Sequence, residues 1–138
     1  ELPLSRLLPH ESVQPEGVDS IVTLMADRHF FPSIIVDRNT NVILDGHHRC
    51  SALQRLGVET WPVTLVNYFD EAIILESEAD LSKEEVLLLA TQGRVSGPKS
   101  TTHSYIGPDG TKRPIVELAF GVSNFRIKSA FSHKKRTA

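Results

Sequence analysis

Residues 45 to 49 read Asp-Gly-His-His-Arg, which puts an acid, a glycine, two imidazoles and a guanidinium between apolar segments. Residue types at this density suit the binding of an oxyanion. A glycine lets the backbone come close to a phosphate. A helix N-terminus offers unsatisfied N–H groups and about half a positive charge, and an arginine can grip phosphate in a fork. The stretch also invites a metal or a thiol reading, and neither is expected. Neighbouring histidines diverge by about 100° on a helix, and His10, His29, His103 and His133 show no zinc-binding spacing. Cys50 falls on the apolar face of the helix that the motif would open, where a single cysteine is usually packing.

A second polar cluster, Pro98-Lys99-Ser100-Thr101-Thr102-His103, holds an ammonium, hydroxyls and an imidazole, and reads as a loop able to bind an anion. Two anion-binding clusters and an acid near a helix start supply the parts for phosphoryl transfer. That reaction needs positioned donors, a metal for the phosphate charge and a carboxylate to orient a hydroxyl.

Hydrophobic periodicity names the elements that must hold these groups. From Pro15 to Arg28, residues Val18, Ile21, Val22 and Met25 form the stripe of an amphipathic helix, with Glu11 just ahead of it. Ser33 to Val36 and Asn41 to Leu44 are short β-branched runs joined by Asp37-Arg38-Asn39-Thr40, the composition of a tight hairpin turn. Cys50, Leu53 and Leu56 recur at helical spacing from His47, and Gly57 supplies a stop. Trp61 to Val66 returns as a strand. Ser82-Lys83-Glu84-Glu85 is a capping box ahead of a third helix that Gly93 closes, Gly107-Pro108-Asp109-Gly110 is a turn, and Ile115 to Phe120 is expected as a last strand. The hairpin and the short connections predict an α+β domain built on a mixed sheet with flanking helices.

The chain has 138 residues, enough to bury a core in one domain, and a net charge of −2 supplies no general field for nucleic acid. The basic run His133-Lys134-Lys135-Arg136 reads as a solvated terminus. One cysteine excludes an internal disulfide and fits a reducing compartment, and no run approaches the roughly 20 apolar residues of a membrane span. A cytoplasmic protein without nucleic-acid or membrane partners is expected.

The strand, Asp45-Gly46-His47-His48-Arg49 and the helix after it resemble the nucleotide-binding core of the ParB/sulfiredoxin fold, over about residues 1 to 67. With Pro9-His10-Glu11 ahead and Lys99-Ser100-Thr101 and His103 behind, the pattern is similar to that of free L-serine kinases. The resemblance implies one ParB/sulfiredoxin-like domain over 1–138, with a substrate-loop region at about 82–120 and a basic tail at about 126–138. It implies a kinase that moves a phosphoryl group from ADP or ATP to the hydroxyl of free L-serine, giving O-phosphoserine. Glu11 would then be the base. Asp45 would be essential at the transfer site, through Mg2+, and Gly46, His47, His48 and Arg49 would hold nucleotide phosphates. Lys99, Ser100, Thr101 and His103 would face the serine. Sulfiredoxins carry a catalytic cysteine where this chain has His47, so sulfinic acid reduction is not expected of Cys50. Two other readings stand beside the kinase: a nucleotide-binding regulatory module without transfer, and a ParB-like interaction domain.

Overall fold

The run Ile34-Ile35-Val36 contains no polar residue because both faces of its strand are covered, each by a different core. The computed structural model describes residues 1–27, 30–97 and 100–123. His29, Lys99 and the basic tail at 126–138 lie outside the described residues. In chain order the elements are β1 (Leu2–Pro3), α1 (Pro15–Asp27), β2 (Phe30–Pro32), β3 (Ile34–Asp37), β4 (Ile43–Asp45) and α2 (His47–Arg55). Then come β5 (Thr60–Trp61), β6 (Val63–Val66), β7 (Ile73–Ser77), α3 (Lys83–Thr91), β8 (Thr101–Ile106), β9 (Lys112–Pro114) and β10 (Gly121–Ser123).

The central sheet has the order β4-β3-β6, with β3 antiparallel to β4 and parallel to β6, so it is mixed as the short connections predict. The expected hairpin forms. Asp37, nearly fully buried, holds its turn: Oδ2 accepts from the Thr40 N–H and hydroxyl, and Oδ1 accepts from the Tyr68 N–H. Side chains alternate along β3. Ile34 and Val36 join one core with Leu4, Val18, Met25, Leu53 and Trp61, while Ile35 joins the other with Leu44, Tyr68, Ile73, Val86 and Ile115.

Pro15 opens α1 at a position where its missing N–H costs nothing, and the helix packs Val18 and Met25 inward with Ile21 and Val22 partly covered. The third helix begins on the expected capping box, with Ser82 Oγ accepting from the Glu85 N–H and Glu85 Oε1 from the Ser82 N–H. A second sheet, β7-β8-β9, is antiparallel throughout and packs its Ile73 and Leu75 on the second core.

Two expectations need correction. The segment read as a polar loop is a strand from Thr101 on, paired with β7 and β9, and it buries two successive polar side chains, His103 and Ser104, where a strand usually buries apolar ones. The expected last strand at Ile115 to Phe120 is instead a 3₁₀ turn over Ile115–Leu118. Ile115 is buried while Val116 is exposed, and a turn after Pro114 satisfies that single anchor. The chain becomes strand only at Gly121, where β10 pairs with β2.

Candidate functional site

Gly46 joins β4 to α2 as the helix N-cap, with φ 111° and ψ 24°, a left-handed backbone that glycine adopts freely. A Cβ at this position would lie 2.9 Å from Arg49 Nη2 and 3.3 Å from Ile34 Cγ1. Gly46→Ala is therefore expected to destabilise the chain by about 1–3 kcal/mol. Urea unfolding checks this, and an unchanged midpoint would contradict it.

Arg49 lies one turn into α2 and folds back under the loop. Its Nη2 donates to the Ser33 carbonyl at 3.0 Å and to Asp45 Oδ2 at 3.3 Å, and its buried Nε has no hydrogen-bond partner among the described residues. His48 is held by α1, its Nε2 accepting from the Gln14 N–H at 3.0 Å. Gly17 makes room for that ring, since a Cβ there would meet His48 Cδ2 at 2.7 Å. His47 turns inward, and its Nε2 accepts from the His10 N–H at 3.1 Å.

Glu11 reaches this loop from the opposite side, tied by backbone bonds to Ser96. Its Oε2 accepts from the Thr101 N–H at 3.0 Å and the Thr101 hydroxyl at 2.5 Å. Its Oε1 faces His47 Nδ1 at 3.8 Å and accepts no hydrogen bond among the described residues. Burial of the carboxylate is thus balanced on one oxygen, and the other has no donor among the described residues.

Three imidazoles pack beside this carboxylate. The His10 ring lies edge-on to His47 at 4.5 Å and to His103 at 5.7 Å. His103 Nε2 bonds the hydroxyl of fully buried Tyr68 at 2.8 Å. Burial, with the neighbouring rings adding to it, pushes His47 down to about 2 and His103 down to about 3. Burial also lowers His10, against the pull of Glu11. All three are neutral at physiological pH, so the array supplies directed donors and acceptors without adding charge.

These groups converge on one pocket of about 380 Å³, lined by Glu11, Asp45, Gly46, His47, His48, Arg49, Thr101, Thr102 and His103, and on its apolar side by Ile21, Leu44, Pro114, Ile115 and Val116. Ser100 is not among the lining residues; its Oγ pairs with Ser96 Oγ at 2.6 Å. Sequence reasoning missed Tyr68, the packing role of His10 and the apolar wall. Tyr68 and the wall residues carry no spacing signal, because tertiary contact alone brings them in. Cys50 is buried and its thiol is pushed up to about 11, which fits packing. Among the described residues no group of three or more His, Cys, Asp or Glu is arranged to hold a metal, and no helix is long and apolar enough to cross a membrane.

No family model matches the sequence. A ParB-like protein of Sulfolobus acidocaldarius is 37% identical over 68 residues, covering 49% of this chain and 34% of that protein. An ATP-dependent L-serine kinase of Staphylothermus marinus is 28% identical over 79 residues, covering 54% of this chain and 31% of that protein. The chain thus spans about a third of the length of these curated relatives. Among solved structures, a free serine kinase in complex with AMP superposes with a TM-score of 0.68 at 15% identity, over 85% of this chain and 92% of that one. A mixed sheet with flanking helices and the backbone match agree: this chain has the ParB-like fold that the free serine kinase structure shares, and about half of it is similar in sequence to a ParB-like protein and to an L-serine kinase.

Proposed function

We propose that this protein is a kinase for free L-serine, taking the phosphoryl group from ADP or ATP and releasing O-phosphoserine. The observation that carries the reading is the convergence in one pocket of an open carboxylate oxygen, a glycine-started helix N-terminus and an arginine. A binding module needs the second and third of these. Only transfer needs the first.

In this reading the nucleotide phosphates sit at the start of α2, against the N–H groups after Gly46, with His48 and Arg49 beside them. The orphaned Arg49 Nε is a donor that an oxyanion would satisfy. The adenine lies on the apolar wall of Ile21, Pro114 and Val116. The serine hydroxyl faces Glu11 Oε1. Its proton passes to that oxygen as the hydroxyl oxygen bonds to phosphorus. The bond from phosphorus to the bridging oxygen breaks, and its electron pair leaves with the nucleotide. His103 and Thr102 border the acceptor side of the pocket, and Lys99 belongs with them by sequence.

A magnesium ion fits one place here. Mg2+ keeps several waters and binds through one or two carboxylates plus substrate phosphates, and Asp45, half-exposed at the pocket edge, is such a carboxylate. When bound, the ion would neutralise phosphate charge.

The adenine placement makes the reading testable on binding alone. Val116 is 39% exposed, so Val116→Glu leaves the core untouched and puts a charge against the base. The variant is expected to weaken ADP or ATP binding by about tenfold or more in calorimetry, equivalent to about 1.4 kcal/mol. Unchanged affinity would move the base elsewhere, and no nucleotide binding by the unmodified chain would remove the reading.

A further inference from the structure

We propose that His10 is a positioning residue whose ring fixes the Thr101 hydroxyl and, through it, holds Glu11 with one oxygen saturated and the other open to the pocket. The inference rests on the reading of Glu11 as the base.

Proton counting sets the direction of the chain. Thr101 Oγ lies 2.5 Å from Glu11 Oε2 and 2.9 Å from His10 Nε2. A threonine hydroxyl has one proton, and an ionised carboxylate can only accept. The hydroxyl proton therefore points to Glu11 and His10 donates from Nε2 to the threonine oxygen, which leaves His10 Nδ1, buried and without a hydrogen-bond partner among the described residues, as the deprotonated nitrogen of the neutral ring. The other end is fixed in the same way. His47 Nε2 accepts from the His10 N–H, so the neutral His47 ring carries its proton on Nδ1, the atom 3.8 Å from Glu11 Oε1.

His10 is itself immobilised. Its side chain is completely buried, and its carbonyl accepts from the Ser96 N–H at 2.9 Å and the Ser96 hydroxyl at 3.0 Å. A fully buried imidazole costs desolvation that an apolar residue would avoid. Here the ring supplies a donor to threonine that no apolar side chain can, and it joins segments ninety-one residues apart in sequence. Without it the hydroxyl can rotate, and Glu11 loses its single orientation.

The test uses the full chain and two readouts. In turnover, His10→Leu and Thr101→Val are each expected to lower kcat by about 30-fold or more with the nucleotide KM within about twofold. His10→Gln places an amide N–H near the former Nε2 and Thr101→Ser keeps the hydroxyl, so both are expected to stay within about fivefold of the unmodified chain. Because the two residues act through one chain of hydrogen bonds, the double variant His10→Leu/Thr101→Val is expected within about twofold of the worse single variant. Multiplicative losses in the double variant, or His10→Gln as damaged as His10→Leu, would overturn the inference.

The second readout does not need activity. In ¹⁵N-detected imidazole spectra at neutral pH, His10 is expected as the neutral Nε2–H tautomer, and an Nδ1–H tautomer or a charged ring would overturn the chain of donors. An unmodified chain with no turnover but with this tautomer would sink the kinase reading while supporting the fixed geometry of Glu11. An active chain with the other tautomer would do the reverse.

Discussion

Glu11→Gln is expected to lower kcat for serine phosphorylation by about 10³-fold while the nucleotide Kd stays within about twofold. The amide is isosteric. Its carbonyl can take the place of Oε2 and receive the Thr101 N–H and hydroxyl, so the link between the first loop and β8 survives. Its NH2 group then stands where Oε1 stood, and it cannot accept a proton from an incoming hydroxyl. In the proposed reading, nucleotide binding at the start of α2 would involve Gly46, His48 and Arg49, which this substitution does not touch. Single-turnover kinetics beside calorimetry separate the two quantities. A variant with full kcat would show that the hydroxyl proton leaves by another route and that the conformation of Glu11 is structural.

The histidine array makes stability depend on acid. In the unfolded chain each of His10, His47 and His103 takes up a proton near pH 6.5, whereas burial holds the folded values lower, to about 3 for His103 and about 2 for His47. Between those limits the unfolded state binds more protons. Stability from this source is complete above about pH 6.5 and is lost as the pH falls towards about 3, at about 1.4 kcal/mol per pH unit for each of His47 and His103, with His10 adding to the loss in the same direction. The groups facing the array are Glu11, His48, Tyr68 and Lys83. Protonating an imidazole beside the other two therefore adds repulsion to desolvation. Urea unfolding at a series of pH values is expected to lose several kcal/mol between pH 6.5 and 4.5. Triple replacement of the histidines by glutamine would flatten the curve in that window if the chain folds, and a flat curve for the unmodified chain would show that the rings titrate normally.

Local signals in the sequence were enough for α1, the β3–β4 hairpin, α2 and α3, because each rests on short-range chemistry: a 3.6-residue stripe, a turn with Asp37 and Asn39, a glycine cap and a capping box. The left-handed backbones at Gly46, Gly57 and Gly93 fall where those signals put helix ends. Strand β7 carries a legible apolar run, Ile73-Ile74-Leu75, which lies away from both polar clusters in the sequence. Strand β8 was hidden for a different reason. Thr101, Thr102 and His103 line the pocket with polar side chains, so the apolar alternation that marks a strand is missing there.

The candidate site divides in the same way. The cluster at Asp45 to Arg49 was visible because its residues are contiguous, and the helix N-terminus it needs is local. The bond between Glu11 and Thr101 spans ninety residues and has no signature in composition or spacing. The resemblance supplied Glu11, but not what holds it. The apolar wall at Ile21 and Pro114 to Val116 was invisible, since such residues are as common in cores as in ligand pockets.

The most direct test of phosphoryl transfer to free serine is a time course of O-phosphoserine by mass spectrometry, with the purified chain, L-serine, Mg2+ and either ADP or ATP. Product is expected to grow linearly with enzyme and time with at least one of the two nucleotides, and to be absent when serine is omitted. Saturable nucleotide binding with no O-phosphoserine from either donor would contradict it, and would make the pocket a nucleotide-sensing site whose carboxylate does no chemistry.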